Sequence, residues 1–161
     1  MGEEAKWSHI DGEGRLRMVD VSDKEITARE ARAEATVLMQ AATLRQILDH
    51  KMAKGNVLEA ARLAGIMAAK QTWELIPLCH PIALTGVTVD FAVDQERSEI
   101  KISSAAKTRE RTGVEMDALV AAAHAALTIY DMCKAVDRAM VIRDVKLTYK
   151  SGGRSGTFQR S

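Results

Sequence analysis

From Gly113 to Arg138 the chain holds no proline and is rich in alanine, leucine and methionine, which makes it the strongest helix signal in the sequence. Aromatic residues make up only 4% of the chain. A core of this kind packs through Ala, Leu, Ile, Val and Met, and its small side chains let helices approach closely. The pattern points to a helix-rich α+β domain. At 161 residues the chain is long enough to bury a core without disulfide or metal staples.

Strand signals surround that helix. Residues 30–39 alternate, with Ala31, Ala33, Ala35, Val37 and Met39 on one side. Leu44, Ile47 and Leu48 suggest a short helix. Residues 56–75 read as a longer one, with Asn56 at the N-cap position and Leu58, Ala61, Leu63, Ile66 and Ala69 as its apolar side. Pro77 stops it. Residues 83–94 and 99–109 form a hairpin about a polar turn, and 141–149 form the last strand. With one extra helix set aside, the order is that of a ferredoxin-like βαββαβ sandwich, an antiparallel sheet packed on helices. We expect a single domain over residues 1–161. Residues 1–29 read as a partly mobile N-terminal arm, and 151–161 as a flexible Gly/Ser tail.

The formal net charge is +1, so bulk electrostatics does not suggest a nucleic-acid binder, and an anionic ligand must be held by a local basic cluster. Cys79 and Cys133 stand far apart and belong to no C-x-x-C pair, which reads as two buried thiols in a reducing cytosol. The first residues lack an apolar signal region, and no apolar run approaches the roughly 20 residues of a membrane span. The expectation is a cytoplasmic protein.

Four constellations could carry chemistry. Asp117, His124, Asp131 and Arg138 are spaced by seven on the long helix and would form one polar line, with Thr128 and Lys134 beside it. That line is either a solvated face or an acid and an amine presented together. Asp131 and Lys134 lie one turn apart and can reach the same ligand. In Ile76-Pro77-Leu78-Cys79-His80-Pro81, both Ile76 and His80 precede proline, which stiffens the segment and fixes where His80 points. It is either a loop histidine or a phosphate donor or general acid. No His-x-x-His or Cys-x-x-Cys spacing supports a metal. Lys54-Gly55-Asn56 opens a helix and is either a surface turn or an anion site. Lys150-Ser151-Gly152-Gly153-Arg154-Ser155-Gly156 is either a plain tail or a phosphate wrap, and it is not a Walker A motif.

Taken together, R-M-V-D-V-S (17–22), K-G-N-V (54–57), A-R-L-A-G-I-M-A-A-K (61–70), L-I-P-L-C-H-P (75–81), R-T-G-V-E-M-D-A-L (111–119), L-T-I-Y-D-M-C-K-A-V (127–136) and K-S-G-G-R-S-G (150–156) resemble the cyclic pyranopterin monophosphate synthase family, MoaC. The resemblance runs from about residue 8 to 157. It implies a ferredoxin-like subunit in a homohexamer, a trimer of dimers, with the site at a subunit interface. It implies 3′,8-cyclo-7,8-dihydro-GTP as substrate, conversion to the cyclic pyranopterin monophosphate with loss of pyrophosphate, and a place in molybdenum cofactor biosynthesis. It implies a lyase working by general acid/base catalysis, with no redox cofactor; whether magnesium arrives with the triphosphate stays open.

By matching position, the resemblance makes Asp131 and Lys134 the acid–base pair and Lys54 their catalytic or phosphate-binding partner. Leu78, Cys79 and His80 would line the substrate site, with His80 near the phosphates, Glu115, Met116 and Asp117 on the base-derived ring, and Arg29 and Lys150 near the triphosphate. Asp117 stands where the family usually has Glu, and Arg154 where Lys is usual. Two other readings are a non-catalytic pterin- or nucleotide-binding regulator and a structural assembly subunit. Neither needs the acid–base set.

Overall fold

The computed structural model describes residues 9–161. Strand β1 (Thr27–Leu38) leads into helix α1 (Ala41–Leu48), and helices α2 (Val57–Ala69) and α3 (Thr72–Leu75) follow. Strands β2 (Leu84–Asp94) and β3 (Glu99–Glu110) form the hairpin. Helix α4 (Glu115–Cys133), strand β4 (Val141–Ser151) and the two-residue strand β5 (Phe158–Gln159) complete the chain. The antiparallel sheet has the order β2-β3-β1-β4-β5. Its first four strands have the ferredoxin-like arrangement, with α2 and α4 packed side by side against them.

The alternation in β1 sets the sheet's polarity. Ala31, Ala33, Ala35 and Val37 are buried, and Met39 beyond the strand end joins them. The opposite face carries cross-strand ion pairs, Lys101–Glu34 at 3.3 Å and Lys107–Glu30 at 3.5 Å. Because β1 offers mostly alanines, α4 can lie close on it with Ala118, Ala121, Ala122, Ala125 and Ala126, all fully buried. Ile100, Ile102 and Ile129 fill the remaining space.

The small residues of α2 serve the same close packing. The buried side of α2 is Val57, Ala61, Gly65, Ala68 and Ala69, with Leu58 and Ile66 packed at its edge. Leu63, expected inside, is 60% exposed, because the helix turns its smallest residues toward α4. A Cβ on Gly65 would lie 2.8 Å from the Ala121 carbonyl oxygen and 3.1 Å from Val89 Cγ2. Asn56 caps α2 as its sequence suggests, its side chain accepting the Glu59 N–H. The helix ends before Pro77 is reached: residues 70–71 break it, and α3 is a separate single turn.

The long helix is also shorter than its sequence signal. It ends at Cys133, and Arg138 lies beyond it. The reason is Asp137, which is almost fully buried and faces the start of α1. Its carboxylate accepts the Gln40 N–H at 2.8 Å and the Thr43 hydroxyl at 3.1 Å. It thus caps α1 from outside, and the chain must leave the helix to put it there. Cys133 is buried close by, and burial first, then the Asp137 charge, pushes its thiol up to about 11.

Of the arm expected over residues 1–29, residues 1–8 lie outside the described residues. Residues 9–17 make a small turn closed by the Ile10–Leu16 bridge, with Asp11 accepting the N–H groups of Glu13 and Arg15. Residues 27–29 belong to β1, which starts earlier than the alternation suggests. At the other end, Phe158 and Gln159 return to pair with Lys150 and Tyr149. Among the described residues no helix is long and apolar enough to cross a membrane.

Gly65→Ala should destabilise the protein by about 1–3 kcal/mol, because overpacking against the Ala121 carbonyl outweighs the better helix propensity of alanine. Urea unfolding of the two proteins checks this. Equal stability would mean that α2 and α4 have room to separate.

Candidate active site

The candidate residues gather at the two ends of α4. At its C-terminal end, Asp131 presents a carboxylate to solvent, its side chain 56% exposed. Lys134, one turn on, contacts Asp131 Oδ1 at 2.8 Å. Lys54, from the turn before α2, donates to Asp131 Oδ2 at 2.8 Å and to the Asp131 carbonyl at 3.0 Å. Asn56 caps α2, so the helix start behind Gly55 is fixed and the Lys54 chain is directed across to α4. The carboxylate therefore sits between two ammonium groups. Hydrogen bonds and charge from Lys134 first, then Lys54, hold it down to about 2, and Asp131 in turn raises Lys134. At neutral pH the trio is fully ionised and carries one net positive charge.

The N-terminal end of α4 faces a cleft of about 280 Å³. Leu78, Cys79, His80, Glu115, Met116 and Asp117 all line it. Leu78 has φ of +65°, a left-handed conformation that costs a non-glycine residue about 1–2 kcal/mol. Ile76 before Pro77 is extended, as its position dictates. The sharp turn between the two prolines places Cys79 and His80 on the cleft wall. His80 Nε2 donates to the Val19 carbonyl at 2.7 Å, so the arm crosses the cleft at the histidine.

Asp117 is only 6% exposed at the cleft floor. Burial raises its carboxyl to about 6, against the pull of its own backbone N–H and the Thr72 hydroxyl beside it; the Glu115 charge adds to the rise. Cys79 is half-buried rather than buried. Burial, then the Asp117 charge, raises its thiol, which disfavours the thiolate. Glu115 pairs with Lys150 on β4 at 3.2 Å. Arg29 lies within β1, opposite Thr108, and donates Nε to the Glu110 carbonyl at 2.9 Å and Nη2 to the Arg111 carbonyl at 3.0 Å.

The polar line drawn from the seven-residue spacing does not exist as a surface. Asp117 is buried, His124 is half-buried, Asp131 is exposed and Arg138 is off the helix. The middle of α4 is largely core, and the candidate residues lie at its two ends. Asp117 and Asp131 are fourteen residues apart, about 21 Å along the axis. Lys54, Asp131 and Lys134 do not line the cleft that holds His80 and Asp117. The sequence reading missed other lining residues, namely His9, Val19, Lys24 and Thr72. Their roles depend on where the arm and α3 pass in space, and no local pattern marks that. Among the described residues no three His, Cys, Asp or Glu side chains converge as metal ligands.

The raised Asp117 has a signature in stability. Below about pH 4 the carboxyl is protonated both folded and unfolded. Between about pH 4 and pH 6 the unfolded chain ionises while the folded one keeps its proton, so stability should fall as pH rises through that window and level off above it. Asp131 acts in the opposite sense and lower, between its ordinary 3.8 and about 2. Urea titrations of wild type and Asp117→Asn should show this decline only in the wild type. Parallel curves would mean that Asp117 is not buried as an acid.

A family model described as the MoaC family matches residues 18–153. The cyclic pyranopterin monophosphate synthase of Desulfatibacillum aliphaticivorans is 58% identical over 154 residues, covering 96% of this chain and 97% of that protein. The protein of the same name from Thermoanaerobacter sp. (strain X514) is 55% identical over 95% of this chain and 97% of its own length. That from Parvibaculum lavamentivorans is 52% identical over 96% of each. With a family match over most of its length and relatives this similar end to end, the chain belongs to the MoaC family.

Proposed function

We propose that the chain is a cyclic pyranopterin monophosphate synthase of molybdenum cofactor biosynthesis. It takes 3′,8-cyclo-7,8-dihydroguanosine 5′-triphosphate, rebuilds the purine as a pyranopterin, closes a cyclic phosphate and releases pyrophosphate. The observation that carries the reading is the ionised Lys54–Asp131–Lys134 trio, exposed and positively charged. A regulator that only binds pterin needs no such set, and neither does an assembly subunit. Relatives above 50% identity that carry the synthase name support the same choice.

The two ends of α4 suggest a division of labour. A carboxylate held near 2 is a weak base while both lysines grip it. An arriving phosphate competes for the ammonium groups, loosens that grip and raises the basicity of Asp131 at the moment the ligand is in place. Asp117, near 6, is already matched to proton transfer at neutral pH. The rearrangement is redox-neutral, so the reading calls for no electron carrier.

The ends are too far apart to serve one small substrate within a single chain. In this reading the trio of one protomer faces the His80–Asp117 cleft of another, in a homohexamer built as a trimer of dimers. The exposed Leu63 and Met67 on α2 and Leu127 on α4 are the kind of surface such an assembly covers. The protein works in the cytoplasm.

The test is to incubate the purified protein with the cyclised dihydro-GTP and follow pyrophosphate release and pterin fluorescence after oxidation. We expect both signals from the wild type. Asp131→Asn should fold normally and lose at least about a hundredfold in kcat, the typical worth of a positioned proton-transfer group. A wild type that binds the compound and releases nothing would overturn the enzyme reading. Near-normal turnover by Asp131→Asn would remove Asp131 from the chemistry.

A further inference from the structure

The buried carboxylate of Asp137 takes no part in the reading above, yet it ties together the two segments that carry the lysines. Helix α1 has few holds of its own. Only Thr43, Leu44 and Ile47 on it are buried, its first turn holds no acid, and Gln40 at its start makes no side-chain cap among the described residues. Asp137 supplies that cap from another segment. Its Oδ2 takes the Gln40 N–H and the Thr43 hydroxyl. Its Oδ1 takes the Ala139 N–H at 3.1 Å and lies 3.4 Å from Gln40 Nε2. Asp137 and Thr43 are each 2% exposed, so water cannot readily replace these bonds.

This anchor lies three residues after Lys134, and the chain between them is fixed to the end of α4. The Lys134 N–H donates to the Tyr130 carbonyl at 2.8 Å, and the Val136 and Asp137 N–H groups donate to the Cys133 carbonyl at 3.0 and 3.1 Å. The Tyr130 hydroxyl donates to the Arg138 carbonyl at 3.2 Å. On the other side, α1 spans about 12 Å and leads into the turn that carries Lys54. There the Lys51 N–H returns to the Gln46 carbonyl at 2.9 Å, and the Gly55 N–H to the buried Met52 at its carbonyl, 3.0 Å away. The path closes into a ring, because Lys54 Nζ meets Asp131, one helical turn before Lys134.

The ion pair is a weak closure for that ring. The Lys54 and Asp131 side chains are 49% and 56% exposed, and exposed pairs hold segments together poorly. We propose that Asp137 is a positioning residue: it holds the start of α1 against the end of α4, so that Lys54 and Lys134 meet on the Asp131 carboxylate. The buried link, rather than the exposed pair, sets the distance between the two lysines. The inference rests on the function proposed above for what the trio does, and it adds a residue outside the set carried by the family resemblance.

The test is competitive acylation of the full-length assembled protein with trace acetic anhydride, read lysine by lysine by mass spectrometry, with kcat measured alongside. A lysine released from its carboxylate reacts faster. In Asp137→Ala, Lys54 should label about two to five times faster relative to Lys101 on the open face of the sheet, the range an exposed ion pair is worth. Its kcat should fall about tenfold or more, as expected when reacting groups are misplaced by about an ångström. Asp137→Asn keeps one acceptor oxygen and should lie between Asp137→Ala and wild type in both readouts. Ile102→Val, on the buried face of the sheet, weakens the core without touching the ring and should leave Lys54 labelling unchanged. If Asp137→Ala does not fold, Thr43→Val removes one bond of the anchor at similar size and should raise Lys54 labelling by a smaller factor. Wild-type Lys54 labelling in the folded variants would overturn the positioning role whatever their turnover, and so would an equal rise in Ile102→Val. Labelling that responds to Asp137, beside a wild type that leaves the cyclised triphosphate intact, would keep the anchor and remove the enzyme.

Discussion

The geometry of this protein depends on one rigid element laid on a shallow surface. Helix α4 is a rod of about 28 Å that cannot bend to bring its ends together. It lies close on β1 because the strand offers alanines, and close to α2 because Gly65 leaves room for the Ala121 carbonyl. Every candidate catalytic group is placed relative to this rod: Asp131 on its last turn with Lys134 just beyond, Asp117 and Glu115 on its first, and Lys54 reaching it from the start of α2.

The same rod separates two electrostatic environments. At the exposed end, two lysines hold a carboxylate ionised far below neutral pH. At the buried end, desolvation brings another carboxylate up toward neutrality. Two acids pushed apart in this way are suited to different tasks. In the function proposed above, the first gains basicity when an anionic ligand draws its lysines away, and the second is matched to proton exchange near neutral pH. Burial and the Asp117 charge also raise the Cys79 thiol between Leu78 and His80, so desolvation acts on both groups at that end.

Much of this was legible in the sequence where local pattern decides. The alternation of Ala31, Ala33, Ala35 and Val37 named the buried side of β1, and Asn56 named the start of α2. What failed was set by tertiary contact. Spacing by seven says that Asp117 and Asp131 share a helix face, but it cannot say that the core covers one end of that face and not the other. Arg138 left the helix because Asp137 caps α1 across the molecule. Leu63 faces outward because α2 turns its smaller residues to α4. The Lys54–Asp131 pair joins positions 77 residues apart, and only the family resemblance connected them beforehand. The left-handed Leu78 and the short β5 depend on neighbours that no window of sequence contains.

The central claim is that a working site combines the Asp131 end of one protomer with the His80 end of another. The most direct measurement is complementation between two inactive variants, Asp131→Asn and His80→Ala, unfolded together, refolded and assayed for pyrophosphate release. If sites are shared between protomers, mixing restores up to about a quarter of wild-type activity, since random pairing leaves that fraction of sites with both residues intact. If each chain carries a complete site, the mixture stays as inactive as its components, and the shared-site account is wrong.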